Sequence, residues 1–111
     1  MNKRLLLKHL NQFIVIKKNA IVEASINVNG VKILQIRDCL MNIGTILEED
    51  FDNNIYVVDI PAGLGNMNHA VVAIQLNKNS IDLIGYAKEG LINQHTAEKA
   101  IDKICKQCSN M

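Results

Sequence analysis

Three apolar stretches between Asn54 and Gly90, separated by turn-forming residues, make the clearest hydrophobic pattern in the chain. The first stretch is nearly continuous and stops at Pro61, which cannot donate a hydrogen bond to a β-ladder. The second and third stretches are joined by Asn77–Ser80, a polar run that is typical of a hairpin turn. The pattern predicts an antiparallel meander whose strands are Ile55–Ile60, Ala70–Leu76 and Ile81–Ala87.

A second pattern lies upstream, where apolar and polar residues alternate from Ala20 to Val28 as in a half-exposed strand. The dipeptide Asn29-Gly30 follows and favours a type I′ turn, with Val31–Ile36 as the returning strand. Helical spacing of the apolar residues indicates instead a helix that includes Arg37–Ile43 and ends with Gly44 at the C′ position. The sequence leaves open whether residues 31–36 form a strand or part of this helix.

Helices are also predicted at the two ends of the chain. Lys3–Asn11 has its leucines on one face, and residues 12–18 fit either a continuation of that helix or a strand. Residues 96–106 carry an apolar stripe at helical spacing, with Asn93 or Thr96 as the expected N-cap. Both helices are amphipathic, so we expect each to cover the sheet.

These elements predict a single α+β domain over residues 1–111, in the order α, β, β, α, β, β, β, α. The antiparallel sheet has about five strands, including the three-stranded C-terminal meander, and is packed by N-terminal, middle and C-terminal helices. Outside this order, Thr45–Leu47 fits a short extended segment. Residues 48–54 are predicted to be a polar loop. The content of 49% hydrophobic and 21% charged residues is typical of a globular protein, and sixteen isoleucines predict an aliphatic core.

Charge and hydropathy exclude several classes of partner. A formal net charge of +1 provides no large basic field, so no nucleic-acid partner is expected. No apolar run approaches the roughly 18 residues of a membrane-spanning helix, so no membrane partner is expected either. The odd number of three cysteines does not suit a disulfide-stapled secreted scaffold. We therefore expect a cytoplasmic protein with reduced thiols.

The spacing Cys105-X-X-Cys108 is the feature most like a known motif. Redox pairs of this spacing usually precede a helix, whereas this one lies at a helix C-terminus, where the dipole disfavours a thiolate. A zinc site would need a second ligand pair, which the sequence lacks. We predict core packing for both thiols, with Cys105 and Cys108 as weak metal candidates, and no cofactor.

The loop at residues 62–69 is the segment most suited to binding a ligand. Its glycines do not complete a phosphate-binding motif, so plain turn geometry is the simpler explanation. Loops on rigid scaffolds nevertheless often carry function. The candidate ligand-binding residues are Gly63, Gly65, Asn68 and His69.

No nucleophile and base can be paired from the sequence, so we predict no catalytic residue. His95 and Glu98 have i, i+3 spacing but are explained by the start of a helix, whose dipole favours Glu98 in the first turn. Asp59, at the end of an apolar strand, is expected to be the half-buried carboxylate.

The order of elements resembles that of roadblock and related profilin-like domains. That resemblance implies a small α/β module that dimerises and acts as a regulatory adaptor. A fainter local resemblance to an uncharacterised cyanobacterial protein family implies no activity; it rests on residues 37–44, 61–65, 72–76 and 83–85. Neither resemblance assigns functional residues.

The sequence favours a non-enzymatic protein-interaction or regulatory module that binds itself or another protein through a sheet edge or an apolar helix face. One alternative is a small-ligand-binding or catalytic domain that uses residues 62–69. Another is an immunity or counter-defence protein that binds a cognate protein. Whether the chain is an enzyme stays open, with the non-enzymatic function preferred because no catalytic pattern is present.

Overall fold

The computed structural model describes residues 1–109, and a five-stranded antiparallel sheet lies at its centre. The strands are β1 (Val22–Asn27), β2 (Thr45–Asp50), β3 (Ile55–Ala62), β4 (Asn68–Leu76) and β5 (Ser80–Tyr86), and the helices are α1 (Lys3–Leu10), α2 (Ile33–Met41) and α3 (Thr96–Cys108). The order across the sheet is β1-β5-β4-β3-β2. The α+β fold, the meander at residues 55–86 and the three helices are thus confirmed.

The helices cover both faces of the sheet. Helix α1 packs on one face, whereas α2 and α3 pack on the other. Because side chains alternate along a strand, Ile55 and Val57 contact α1 while Tyr56 and Val58 lie in the core beneath α2 and α3. This arrangement explains the continuous apolar run of β3, since a strand buried on both faces has no polar side.

The hydrophobic stripes of the helices are the ones that the sequence predicts. Leu6 and Leu10 are fully buried in the core under α1. The buried stripe of α3 comprises Ala97, Ala100, Ile101, Ile104 and Cys108. Aliphatic side chains therefore supply most of the buried area on both faces, at about 25 cal/mol per Å² of apolar surface removed from water.

Of the two alternatives for residues 31–36, the returning strand is wrong and the helix is confirmed from Ile33, where α2 begins. Gly30 has φ of 68°, but Asn29 is absent from the residues with positive φ. A type I′ turn needs positive φ at both central positions, so the hairpin cannot form. Strand β1 pairs with β5 instead, and the element order becomes α, β, α, β, β, β, β, α.

The segment after α2 also differs from the prediction. Gly44 does not have a positive φ, so it is not a left-handed C′ glycine. A Cβ at this position would clash with the carbonyl oxygen of Asp59, so Gly44 is required by the close approach of the chain to β3. Strand β2 then continues to Asp50, so residues 48–50 belong to the strand and not to the predicted polar loop.

Two further boundaries need correction. Strand β3 runs through Pro61 to Ala62 instead of stopping at the proline. Because β2 pairs with β3 only as far as Asp59, β3 is locally an edge at Pro61, where a missing N–H is tolerated. Within residues 12–18 the chain neither extends α1 nor forms a strand. A short 3₁₀ turn lies at Lys18–Ala20.

Within residues 1–109, none of the helices combines the length and the apolar character that crossing a bilayer would require.

Candidate functional site

Residues 62–69, the segment predicted to bind a ligand, connect β3 to β4 and lie against the start of α3. Gly63 has φ of 71°, and a Cβ there would lie 2.5 Å from Oε1 of Gln94. That same oxygen accepts a hydrogen bond from the backbone N–H of Leu64 at 3.0 Å. Gly65 also has positive φ, at 60°. Both glycines thus meet conformational demands of the turn.

The side chain of Asn68 is bound into the framework. Its amide nitrogen lies 3.2 Å from the carbonyl oxygen of Lys88, 3.1 Å from Oγ1 of Thr96 and 3.3 Å from Oε2 of Glu89. These acceptors come from the segment that leads from β5 into α3. Asn68 therefore ties the loop to α3, and a ligand-binding role for it stays a prediction.

Glu89 lies outside α3 and accepts a hydrogen bond from a backbone N–H at the start of that helix. Its Oε1 accepts the backbone N–H of Thr96 at 2.8 Å, whereas the predicted cap Asn93 accepts the N–H of His95 instead. Burial of the Glu89 carboxyl opposes its ionisation, but the hydrogen bonds from Thr96 and its neighbours outweigh this effect and lower the pKa of Glu89. Glu98 lies in the first turn, as predicted, and pairs with His95 at 2.7 Å.

His69 and Asp59 form a pair, with Nδ1 of the imidazole 2.7 Å from Oδ1 of the carboxylate. The Asp59 side chain is half-buried, as predicted, but Asp82 is the more deeply buried carboxylate, at 5% exposure. Asp82 accepts hydrogen bonds from Ser25 at 2.8 Å and Asn77 at 2.6 Å. Among residues 1–109, no three His, Cys, Asp or Glu side chains converge to hold a metal ion.

Two of the three thiols are buried between α2 and α3. Cys39 is 9% exposed and Cys108 is 1% exposed, while Cys105 is half-buried. Burial, with a further contribution from the neighbouring Cys39, raises the pKa of Cys108 to about 12. Burial and the nearby Asp102 also raise the pKa of Cys105. Both thiols of the C-X-X-C spacing are therefore protonated near neutral pH, which suits packing better than metal binding or nucleophilic attack.

The outer edge of β2 is a candidate binding surface of the kind that the sequence predicts, a sheet edge, at a position that the sequence did not indicate. Strand β2 is terminal in the sheet order, and in the part of the chain that the structure describes no strand pairs beyond it. Its register with β3 shifts between Ile46 and Glu48, so Leu47 occupies a β-bulge and is 37% exposed. An unpaired strand edge presents backbone N–H and C=O groups to a partner.

The acidic residues of β2 have partners within the chain. Oε1 of Glu48 lies 2.5 Å from Nδ1 of His9 in α1, and Oδ2 of Asp50 lies 3.3 Å from Nε2 of the same ring. Glu49 points to the other face and lies 3.1 Å from Nε of Arg37. Acidic side chains on an edge normally discourage pairing with another strand. Here each of the three carboxylates already has a partner within the chain, so the edge is less protected than its sequence suggests.

Exposed apolar side chains flank this edge. Leu34 and Met41 project from α2 at i, i+7 spacing and are 55% and 59% exposed, and Phe51, directly after β2, is 51% exposed. Phe51 packs edge-on against Tyr56, with ring centroids 6.2 Å apart. A groove of about 390 Å³ runs between α2 and β2. We call the outer edge of β2 together with Leu34, Met41, Leu47 and Phe51 the β2 edge surface.

A weak sequence signal for β2 exists in retrospect. Glu48 and Asp50 are two residues apart, so in a strand they share one face and can meet the same histidine.

A comparison with protein-family models finds no match to the chain, and searches of curated proteins and of solved structures find none either.

Proposed function

We propose that this chain is a non-enzymatic protein-interaction module that self-associates through the β2 edge surface. The observation that carries the proposal is an unpaired edge strand whose acidic side chains each have a partner within the chain and whose flanks expose apolar side chains. Strand addition to such an edge supplies main-chain hydrogen bonds, and neighbouring apolar side chains supply affinity.

A second copy of the chain suits this edge because of how β2 is composed. Its first half, Thr45–Leu47, is uncharged, and its second half, Glu48–Asp50, is acidic. Antiparallel pairing about a two-fold axis places the uncharged half of one copy opposite the acidic half of the other. Like charges then do not lie directly across from each other, which would destabilise a pair of strands.

The same two-fold arrangement brings the exposed face of α2 close to its counterpart. Leu34, Arg37 and Met41 lie on that face, and each protomer would bury its own apolar side chains against the other. Closed two-fold pairs are the commonest form of soluble oligomer, since one patch serves both partners. The β2 edge surface would thus be covered without a further component.

The proposal is tested by measuring mass against concentration with light scattering and sedimentation. The unaltered chain should show a concentration-dependent dimer. Leu47→Glu and Met41→Lys should each weaken dimerisation by about tenfold or more, because Leu47→Glu sets a carboxylate opposite the acidic half of the partner strand and Met41→Lys brings an ammonium into an apolar contact. Circular dichroism should show that both variants keep the native fold, since both side chains are largely exposed.

Met67→Lys is the matched control, because Met67 is 83% exposed and lies in the segment of residues 62–69, away from β2. It should leave dimerisation unchanged. A strictly monomeric protein at high concentration would rule out the proposal. If Met67→Lys weakened association as much as Met41→Lys, the interface would lie at residues 62–69 instead.

A further inference from the structure

A cavity of about 570 Å³ lies at the end of β5, in the half of the sheet away from the β2 edge surface. One wall is the irregular segment after α1, with Val15, Lys17 and Ala20, and the other wall is formed by residues 86–89 together with Asn93. Small-molecule sites commonly have volumes of about 300–1,000 Å³. Strands β3 and β4 separate this cavity from β2, so it is independent of the proposed dimer interface.

Tyr86 lines this cavity and carries an unpaired hydroxyl. Its side chain is 95% buried, with 5% exposed, and its ring packs in the core beneath α1. The hydroxyl has no hydrogen-bond partner among residues 1–109. Every fully buried side-chain oxygen or nitrogen in that range does have one. The hydroxyl therefore keeps some solvent-accessible area, and the cavity is a space that Tyr86 lines. Buried tyrosine hydroxyls usually have a partner.

Two exposed lysines line the same space. Lys17 and Lys88 belong to opposite walls, and within the described residues neither ammonium takes part in an ion pair or a hydrogen bond. The amide oxygen of Asn93 accepts the N–H of His95, which leaves its NH₂ group available as a donor. The available polar groups of the lining are therefore mainly donors, which suits an anionic ligand.

The charge of the lining also limits the ligand. Glu89 lies in the wall, but its two oxygens already accept the N–H groups of Thr96 and Gln94 and the amide of Asn68. With the two lysines and this carboxylate, the cavity carries a single net positive charge. A ligand with one negative charge neutralises the net charge of the cavity. A dianion would bring one negative charge too many, and the Glu89 carboxylate would repel it.

We propose that this cavity binds a small organic monocarboxylate. The carboxylate lies between Lys17 and Lys88 and accepts hydrogen bonds from the Tyr86 hydroxyl and the Asn93 amide. The apolar part of the ligand packs against Val15, Ala20 and Ala87, the carbon-rich portion of the lining. This site is independent of self-association and would serve equally in a monomer.

Benzoate is the probe, because it combines one carboxylate with a compact apolar body. Titration followed by ¹H–¹⁵N NMR should give saturable shifts at the backbone amides of Ala20, Ala87, Lys88 and Asn93. Benzyl alcohol, which has the same body without charge, should bind about tenfold more weakly or worse, since hydrogen bonds to charged groups are the stronger ones. Phenyl phosphate, largely a dianion, should also bind more weakly.

Lys88→Gln should weaken benzoate binding by about tenfold, while Lys78→Gln, the same change in the β4–β5 turn, should have no effect. Tyr86→Phe keeps the packed ring and should weaken binding by roughly threefold to tenfold. The proposal is overturned if benzoate gives no saturable shifts, if Lys78→Gln and Lys88→Gln act equally, or if benzyl alcohol binds as well. Tighter binding of phenyl phosphate would overturn the assignment to a monocarboxylate.

Discussion

At the scale of single residues, Glu89 connects the start of α3 to Asn68 at the start of β4. Its carboxylate accepts the N–H of Thr96 at the start of α3, the N–H of Gln94 and the side-chain amide of Asn68. Asn93 and Thr96 have the residue types of local caps, so the sequence pointed to them. A cap supplied from outside the helix depends on where β5 ends, which is a tertiary property.

We expect Glu89→Gln to lower the free energy of unfolding at neutral pH by about 1 kcal/mol, which is typical for loss of a helix cap. The pKa of Glu89 is lowered in the folded protein, so its contribution is present above the ordinary glutamate pKa and is lost as the pH falls through the lowered value. Urea denaturation across the acid range should therefore show a flatter dependence on pH for the variant.

Glu98→Gln is the control for this experiment, since Glu98 lies in the same first turn but pairs only with the exposed side chain of His95. It should change stability by less than about 0.5 kcal/mol. Equal losses for the two variants would mean that the helix dipole, and not the cap, explains the role of Glu89.

At the scale of secondary-structure elements, His9 connects α1 to β2. The residue is 8% exposed, and its two ring nitrogens face Glu48 and Asp50, so a protonated ring can donate to both carboxylates. Asp50 also accepts hydrogen bonds from Asn53, which is the largest cause of its lowered pKa, with the charge of His9 adding to it. These contacts explain how an acidic segment can form a strand.

His9→Gln should destabilise the protein by about 1–2 kcal/mol, because it removes the imidazole that contacts two partly buried carboxylates. Native-state hydrogen exchange should show faster exchange at the β2 amides that bond to β3, since β2 loses its tie to α1. His95→Gln, which breaks an exposed pair, should have little effect. Unchanged exchange in β2 after His9→Gln would show that β3 alone holds the strand.

At the scale of the whole molecule, the sheet separates two cores, one under α1 and the other under α2 and α3. Cys39 and Cys108 belong to the second core and bring α2 and α3 together. To expose either thiol, the helical layer must move away from the sheet. The reactivity of these thiols therefore reports on the integrity of the entire layer.

A thiol-reactive disulfide such as Ellman's reagent should modify Cys105 first, because it is the most exposed of the three thiols. Cys39 and Cys108 should react only at the rate at which the core opens, and all three should react at once in urea. Cys105→Ser should remove the fast phase alone. Rapid reaction of Cys108 in the native protein would contradict the core-packing role.

The sequence by itself determined which segments are buried. Strands β3, β4 and β5 and the apolar stripes of α1 and α3 follow from residue periodicity, because burial of a face is a local property of the side-chain pattern. Only the tertiary structure decided which elements are neighbours. The pairing of β1 with β5 replaced the expected hairpin, and contacts with His9 and Arg37 turned an acidic run into the edge strand β2. Such contacts join residues far apart in the chain, and local pattern carries no information about them.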